Sequence, residues 1–195
     1  MHQLILATAN IHKAKEIQSI LPDGFEVITM KEAGIDLDIP EPFETLEENS
    51  ATKANTIYLL TGQDCFAEDT GLEVEALNGA PGVRSARFAG EPRSDQNNYK
   101  KLLNDLKKHT NRRAQFRTVM TLYWDGKEYQ FEGVCKGTII DEPKGTEGFG
   151  YDPVFIPDGS THTFAEMGLQ EKNKFSHRKK ALMQMIDFLK TAITD

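Results

Sequence analysis

Leu4-Ile5-Leu6-Ala7-Thr8-Ala9-Asn10-Ile11-His12-Lys13-Ala14-Lys15-Glu16-Ile17 changes its period halfway along. Four consecutive apolar residues suit a buried strand, Thr8-Ala9-Asn10 reads as a turn, and Ala14, Ile17, Ile20 and Leu21 then recur at helical spacing until Pro22-Asp23-Gly24 stops them. A strand running directly into a helix is the opening unit of an α/β fold, and residues 25–30 read as its second strand.

Outward from this unit, residues 45–60 form a helix candidate with Leu46, Ala51, Ala54, Ile57 and Tyr58 on a buried stripe, ended by Thr61-Gly62. Cys65-Phe66-Ala67 is a strand that leads into a turn at Glu68-Asp69-Thr70-Gly71, with residues 72–77 extended beyond it and a loop at 78–82. A polar-faced helix over 94–109 carries Tyr99, Leu102, Leu103 and Leu106. Residues 114–124 and 128–140 are rich in β-branched and aromatic side chains, and Asp125-Gly126 between them signals a hairpin. A short strand at 154–156 and an amphipathic helix over 177–193 complete the chain. Early strand–helix units followed by a late hairpin predict an α/β domain with a mixed sheet. With no internal repeat and no linker, a single domain over 1–195 is expected.

Composition narrows the function. The 195 residues are 38% hydrophobic and 27% charged, the balance of a globular chain and not of a disordered one. Thirty acids against 23 bases give a net charge of −7, which opposes nucleic acid as a partner but not a small triphosphate held by a few amides, lysines and a divalent metal. Cys65 and Cys135 stand apart without a CxxC pair, so neither a disulfide framework nor a zinc site is indicated. The opening apolar run is too short for a signal peptide or a membrane span, and a cytoplasmic location is expected.

Five stretches can carry chemistry, each with a plainer reading beside it. The turn Thr8-Ala9-Asn10-Ile11-His12-Lys13 can bind phosphate at a helix N-terminus, or Thr8 or Asn10 can simply cap that helix. Glu68-Asp69-Thr70-Gly71 can hold magnesium and orient a water, or form a solvated turn. The acidic region 41–48 can add a metal ligand or merely start a helix. Phe149, Gly150, Tyr151 and Asp152 can offer a ring and a carboxylate to a base, or plug the core beneath a turn. Lys172, His177 and Arg178, around a Ser176 N-cap, can meet phosphate or carbonyl oxygens, or lie on a solvated face.

Taken in order, Thr8-x-Asn10-x-x-Lys13-x-x-Glu16, Glu48-Asn49-x-x-x-Lys53-Ala54, Glu68-Asp69-Thr70-Gly71-Leu72, Gly79-Ala80-Pro81-Gly82, Ser85-Ala86-Arg87-Phe88, Phe149-Gly150-Tyr151-Asp152-Pro153 and Ser176-His177-Arg178 resemble the inosine triphosphate pyrophosphatase family over nearly the whole chain. The resemblance implies a homodimer with a long mixed sheet flanked by helices, two lobes around a central nucleotide cleft, and magnesium-dependent release of pyrophosphate from ITP, dITP or XTP. It places the triphosphate on residues Thr8 to Lys13, with Lys53 pointing at phosphates. Asp69 becomes magnesium ligand and proton acceptor with Glu68 beside it, and Thr70 a substrate contact. Phe149 stacks on the base, Gly150, Tyr151 and Asp152 shape its pocket, and Lys172, His177 and Arg178 close over the nucleotide. Donors from His177 and Arg178 would suit a 6-oxo group and not a 6-amino group. Many relatives carry a glycine before the threonine that Glu41-Pro42-Phe43-Glu44-Thr45 provides here, which leaves the second metal ligand between Glu41, favoured, and Glu44. A Maf-type pyrophosphatase acting on modified pyrimidine nucleotides and a non-catalytic nucleotide-binding module are the competing readings.

Overall fold

A computed structural model describes residues 2–194. Seven strands, β1 (His2–Leu6), β2 (Phe25–Thr29), β3 (Cys65–Val74), β4 (Pro81–Gly82), β5 (Arg113–Trp124), β6 (Lys127–Ile139) and β7 (Phe155–Pro157), form one sheet. Five helices accompany them: α1 (Ile11–Gln18), α2 (Leu46–Thr61), α3 (Asp95–Asp105), α4 (Leu169–Phe175) and α5 (His177–Thr194). The strand order is β2-β1-β3-β5-β6-β7, with β4 paired to β3. β1 lies parallel to β2 and β3, whereas β4 and β7 run antiparallel to their neighbours, so the sheet is mixed as expected.

The hairpin between β5 and β6 turns at Asp125 and Gly126, both with positive φ (47° and 71°), the conformation a two-residue type I′ turn demands. The expected turn at residues 68–71 does not form, because β3 continues unbroken through them to Val74. Gly71 is needed there for closeness and not for curvature: a Cβ on it would sit 2.6 Å from the Gly82 carbonyl oxygen of β4.

The chain divides into two compact units. The first takes the residues through Asp69, Thr118–Gly133 and the segment from Arg178 on. Successive residues of its strands face opposite ways. Leu4, Leu6 and Phe66 pack with Ile17 of α1 and Leu182, Met185, Ile186 and Leu189 of α5, while Ile5, Ala7, Cys65 and Ala67 pack with Ala54 and Ile57 of α2. Strands covered on both faces explain why residues 4–7 read as a continuous apolar run instead of an alternating one.

The second unit takes Thr70–Arg117 and Val134–His177. Its core joins Leu72 and Val74 of β3, Phe116 of β5, Ile139 of β6 and the rings of Phe155 and Phe164 to Leu102 and Leu106. The helix expected over 94–109 is α3, capped by the Ser94 side chain, followed by a 3-10 turn at Leu106–Lys108. A short helix, α4, occupies part of the stretch read as a charge run, and Ser176 ends it, so that residue lies between α4 and α5.

Candidate active site

In the first unit the turn after β1 is closed by its own side chains. The Asn10 carboxamide oxygen accepts from the amides of His12 (2.9 Å) and Lys13 (3.2 Å), and the Thr8 hydroxyl accepts from the Asn10 amide (3.1 Å). Asn10 is therefore the N-cap of α1, and those amides point at protein acceptors. Lys13, half-buried in the first turn, places its ammonium 3.3 Å from Glu68. Ile11 is exposed, as are Ala9 and His12.

Because β3 is continuous, the side chains of Glu68 and Asp69 leave it on opposite faces. Asp69 shares the side of Ala67 and meets α2. There the Lys53 ammonium lies 3.2 Å from Asp69 Oδ1 and 2.6 Å from Glu41 Oε1. One cation thus draws Glu41 and Asp69 together, while Glu44 is exposed to solvent. Burial raises the Asp69 carboxyl above its ordinary value, against the pull of Lys53 and Lys13. Burial would discharge Lys53, but Asp69 and Glu41 outweigh it and hold its ammonium charged.

The stripe of α2 that does this differs from the expected one. Ala51 and Tyr58 are only half-buried, and the inner face instead carries Asn49, Ser50 and Lys53 beside Leu46, Ala54 and Ile57. Each of these polar side chains has a partner: Ser50 donates to the Ala67 carbonyl, Asn49 bonds the Phe43 backbone, and Lys53 holds the two acids.

Glu68 shares the side of Phe66 and meets α1 and α5. Arg178 Nε donates to Glu68 at 2.8 Å, and its Nη1 donates to Glu16. Arg178 is 1% exposed, and a guanidinium that deep requires carboxylate partners. Two of its nitrogens are thus taken up by α1 and β3, partners that the sequence reading does not give it. Glu16, which carries no role in the sequence reading, is the partner that fixes it. Burial pushes the Glu68 carboxyl up, but Arg178 and Lys13 outweigh that and hold it down at about 2.

The second unit assembles the remaining candidates. Asp152, buried, accepts from Lys172 Nζ at 2.6 Å and from the Phe149 amide at 3.0 Å through the same oxygen. Gly148 makes this possible, since at φ +77° a Cβ would stand 2.0 Å from that oxygen. The Lys172 ammonium also lies 5.2 Å from the ring centres of both Phe149 and Phe164. Gly150 donates its amide to Asp95 of α3 at 2.7 Å.

The two readings of the 149–152 loop divide between its aromatics. Tyr151 is buried in the core with its hydroxyl on the Ser85 carbonyl (2.8 Å), so it supports the loop from beneath, whereas Phe149 stays half-exposed. His177 is buried and stacked on Phe116, centroids 4.9 Å apart and planes within 13°. Thr70 opens the second unit's part of β3, half-buried.

A family model described as the Ham1 family matches residues 4–188. Among curated proteins, a dITP/XTP pyrophosphatase of Flavobacterium psychrophilum is 50% identical over 188 residues, covering 96% of this chain and 99% of its own. One of Porphyromonas gingivalis is 50% identical over 190 residues, with 97% and 98% covered. Among solved structures, a HAM1 protein from Coxiella burnetii superposes with a TM-score of 0.89 at 37% identity, over 98% of this chain and all of that one.

Proposed function

Since the chain belongs to the Ham1 family, we propose that it is a pyrophosphatase that hydrolyses non-canonical purine nucleoside triphosphates, ITP, dITP and XTP, to the monophosphate and pyrophosphate. The observation that carries the chemistry is the Lys53 ammonium between Glu41 and Asp69, on the opposite side of β3 from the Glu68–Arg178–Glu16 network. The names of the relatives support the substrate class.

Magnesium is the cofactor we assign. Among the described residues no three His, Cys, Asp or Glu side chains gather as a metal cage. Magnesium asks for less, because it keeps waters and substrate phosphates around one or two carboxylates. Glu41 and Asp69, both already on one cation, are hard oxygen donors of that kind. The ion supplies charge neutralisation for the triphosphate.

The chain's own residues do the rest. Asp69, made more basic by burial, takes the proton of a water whose oxygen bonds the α-phosphorus, while the bond from that phosphorus to the bridging oxygen breaks and pyrophosphate leaves. Lys13 and Lys53 offer positive charge to the phosphates, and Arg178 holds Glu68 ionised behind them. With the first-turn amides occupied by Asn10, phosphate at the turn meets the Asn10 carboxamide NH2, the Thr8 hydroxyl and the positive end of α1. Phe149 provides the ring for base stacking, with Lys172, Asp152 and His177 as the polar groups of the second unit.

Cys65 and Cys135 are both buried thiols, which supports a reducing, cytoplasmic setting. We take the assembly to be a homodimer on the resemblance of the motif set, to be read by sedimentation. The activity is tested by pyrophosphate release from ITP, XTP, GTP, ATP and a pyrimidine triphosphate, each with magnesium and with EDTA. Magnesium-dependent preference for ITP and XTP supports the reading; preference for the pyrimidine nucleotide indicates the Maf-type alternative, and no turnover on any of them a binding module.

A further inference from the structure

The connection between β2 and α2, residues 30–45, carries Glu41 and has no strand or helix of its own. Ile35 and Ile39 pack against the core at its near end. Beyond Ile39 the next apolar anchor is Leu46, already in the helix, and everything between is exposed apart from the half-buried Glu41. Unsupported, such a stretch would sample many positions and Glu41 would meet Asp69 only part of the time.

One side chain closes the gap. Asn49, 1% exposed on the inner face of α2, accepts from the Phe43 amide at 3.0 Å and donates to the Phe43 carbonyl at 3.0 Å. This reciprocal pair mimics a rung of β-ladder and fixes both the position and the orientation of the backbone two residues after Glu41. Lys53 lies one turn further along the same helical face and takes the Glu41 carboxylate at 2.6 Å. Helix α2 thus grips the loop at two points four residues apart, the backbone at Phe43 and the side chain at Glu41. Among the twenty side chains only a carboxamide presents an acceptor and a donor side by side in this way, with Gln one methylene too long for the same reach.

We infer that Asn49 is a positioning residue for the metal: through the Phe43 backbone it holds Glu41 where that carboxylate and Asp69 can share a divalent cation. The inference rests on the reading of Glu41 as a metal ligand. Groups that orient a ligand in this way typically lower metal affinity by about 10–100-fold when removed.

The test measures Mn2+ binding to the full-length, substrate-free protein by the loss of the free-ion EPR signal, for wild type, Asn49→Leu, Asn49→Ala, Glu41→Gln and the Glu41→Gln/Asn49→Ala double variant. Phe43 is 42% exposed, so its peptide groups can turn to water and both Asn49 variants are expected to fold, which circular dichroism checks. Hydrogen exchange at the Phe43 amide reports the grip itself. The expected result is a 10-fold or greater weakening in both Asn49 variants, faster exchange at Phe43, and a double variant no weaker than Glu41→Gln alone. Wild-type Mn2+ affinity in the Asn49 variants, with Glu41→Gln weakened, overturns the inference and leaves the ligand reading standing. Additive losses in the double variant also overturn it, because Asn49 would then act elsewhere. Wild-type affinity in Glu41→Gln overturns the ligand reading, and the inference with it.

Discussion

Replacing Arg178 with methionine separates a structural arginine from a base-reading one. Its guanidinium bonds Glu68 and Glu16, and all three side chains are at most 9% exposed. Methionine keeps most of the aliphatic volume and leaves two buried carboxylates without their principal partner, although Lys13 at 3.3 Å still faces Glu68. Breaking a buried ion pair on one side costs about 3–5 kcal/mol. In a protein of this size each kcal/mol moves the melting temperature by roughly 2–4 °C, so the variant is expected to melt about 6–20 °C lower. Arg178→Lys is expected to recover little of that, since an ammonium cannot engage two carboxylates through a rigid fork. The assay is paired thermal and urea melts with kinetics on ITP and ATP at a temperature where the variant is folded. A melting temperature within about 2 °C of wild type, together with loosened discrimination between ITP and ATP, would refute the placement of Arg178 and return it to the base.

Glu68 makes the stability depend on acid. Its carboxyl sits at about 2 against an ordinary 4.5, so its contribution is fully present above pH 4.5 and is lost as the pH falls toward 2. The gap corresponds to about 3 kcal/mol, and in urea melts with EDTA wild type is expected to lose about that much more across the window than Glu68→Gln does. Asp69→Asn is expected to keep the melting temperature within a few degrees and to lose most turnover; near-wild-type hydrolysis would remove Asp69 from the reaction. Phe149→Ala is expected to raise KM for ITP far more than it lowers stability, because the ring is half-exposed, and the reverse pattern would make it a core residue. The Cys65 thiol, pushed up to about 12 by burial, is expected to resist a thiol-specific reagent in the native protein and to react only on unfolding.

Much of the fold is legible in the sequence because its signals are local. The period change at Thr8, the Asp125-Gly126 turn and the apolar spacing of α5 each lie within a dozen residues, and each element stands close to where it was expected. Residues 68–71 are an exception, as are β4, which lies in the stretch expected as a loop, and α4, which lies in the charge run. Gly71 suggests a turn, but its reason is a carbonyl of β4 eleven residues away, and only that contact shows that 65–74 is one strand. Had it been read as one, strict alternation would have placed Glu68 with Phe66 and Asp69 with Ala67, and the two acids would have separated onto different faces.

The site is legible as residue types and less so as partnerships. Glu16 and Asn49 stand in the motifs without a role, yet both carry a readable signal: each is a polar residue on the inward stripe of its helix, beside Ile17 and Lys53 respectively. The carboxylate partners of Arg178 lie 110 and 162 residues away, beyond the reach of any local pattern. The Lys172–Asp152 pair with Phe149 and Phe164 shows the same limit, since Phe164 belongs to no motif and reaches the lysine only through the fold.

Cleavage between the α- and β-phosphates, with water attacking the α-phosphorus, is the step on which the roles of Asp69, Lys13 and Lys53 in the reaction depend. Hydrolysis of ITP in 18O-enriched water, with products resolved by mass spectrometry, tests it directly. One 18O atom in inosine monophosphate and none in pyrophosphate is the expected result; IDP with labelled inorganic phosphate, or label in the pyrophosphate, would contradict it.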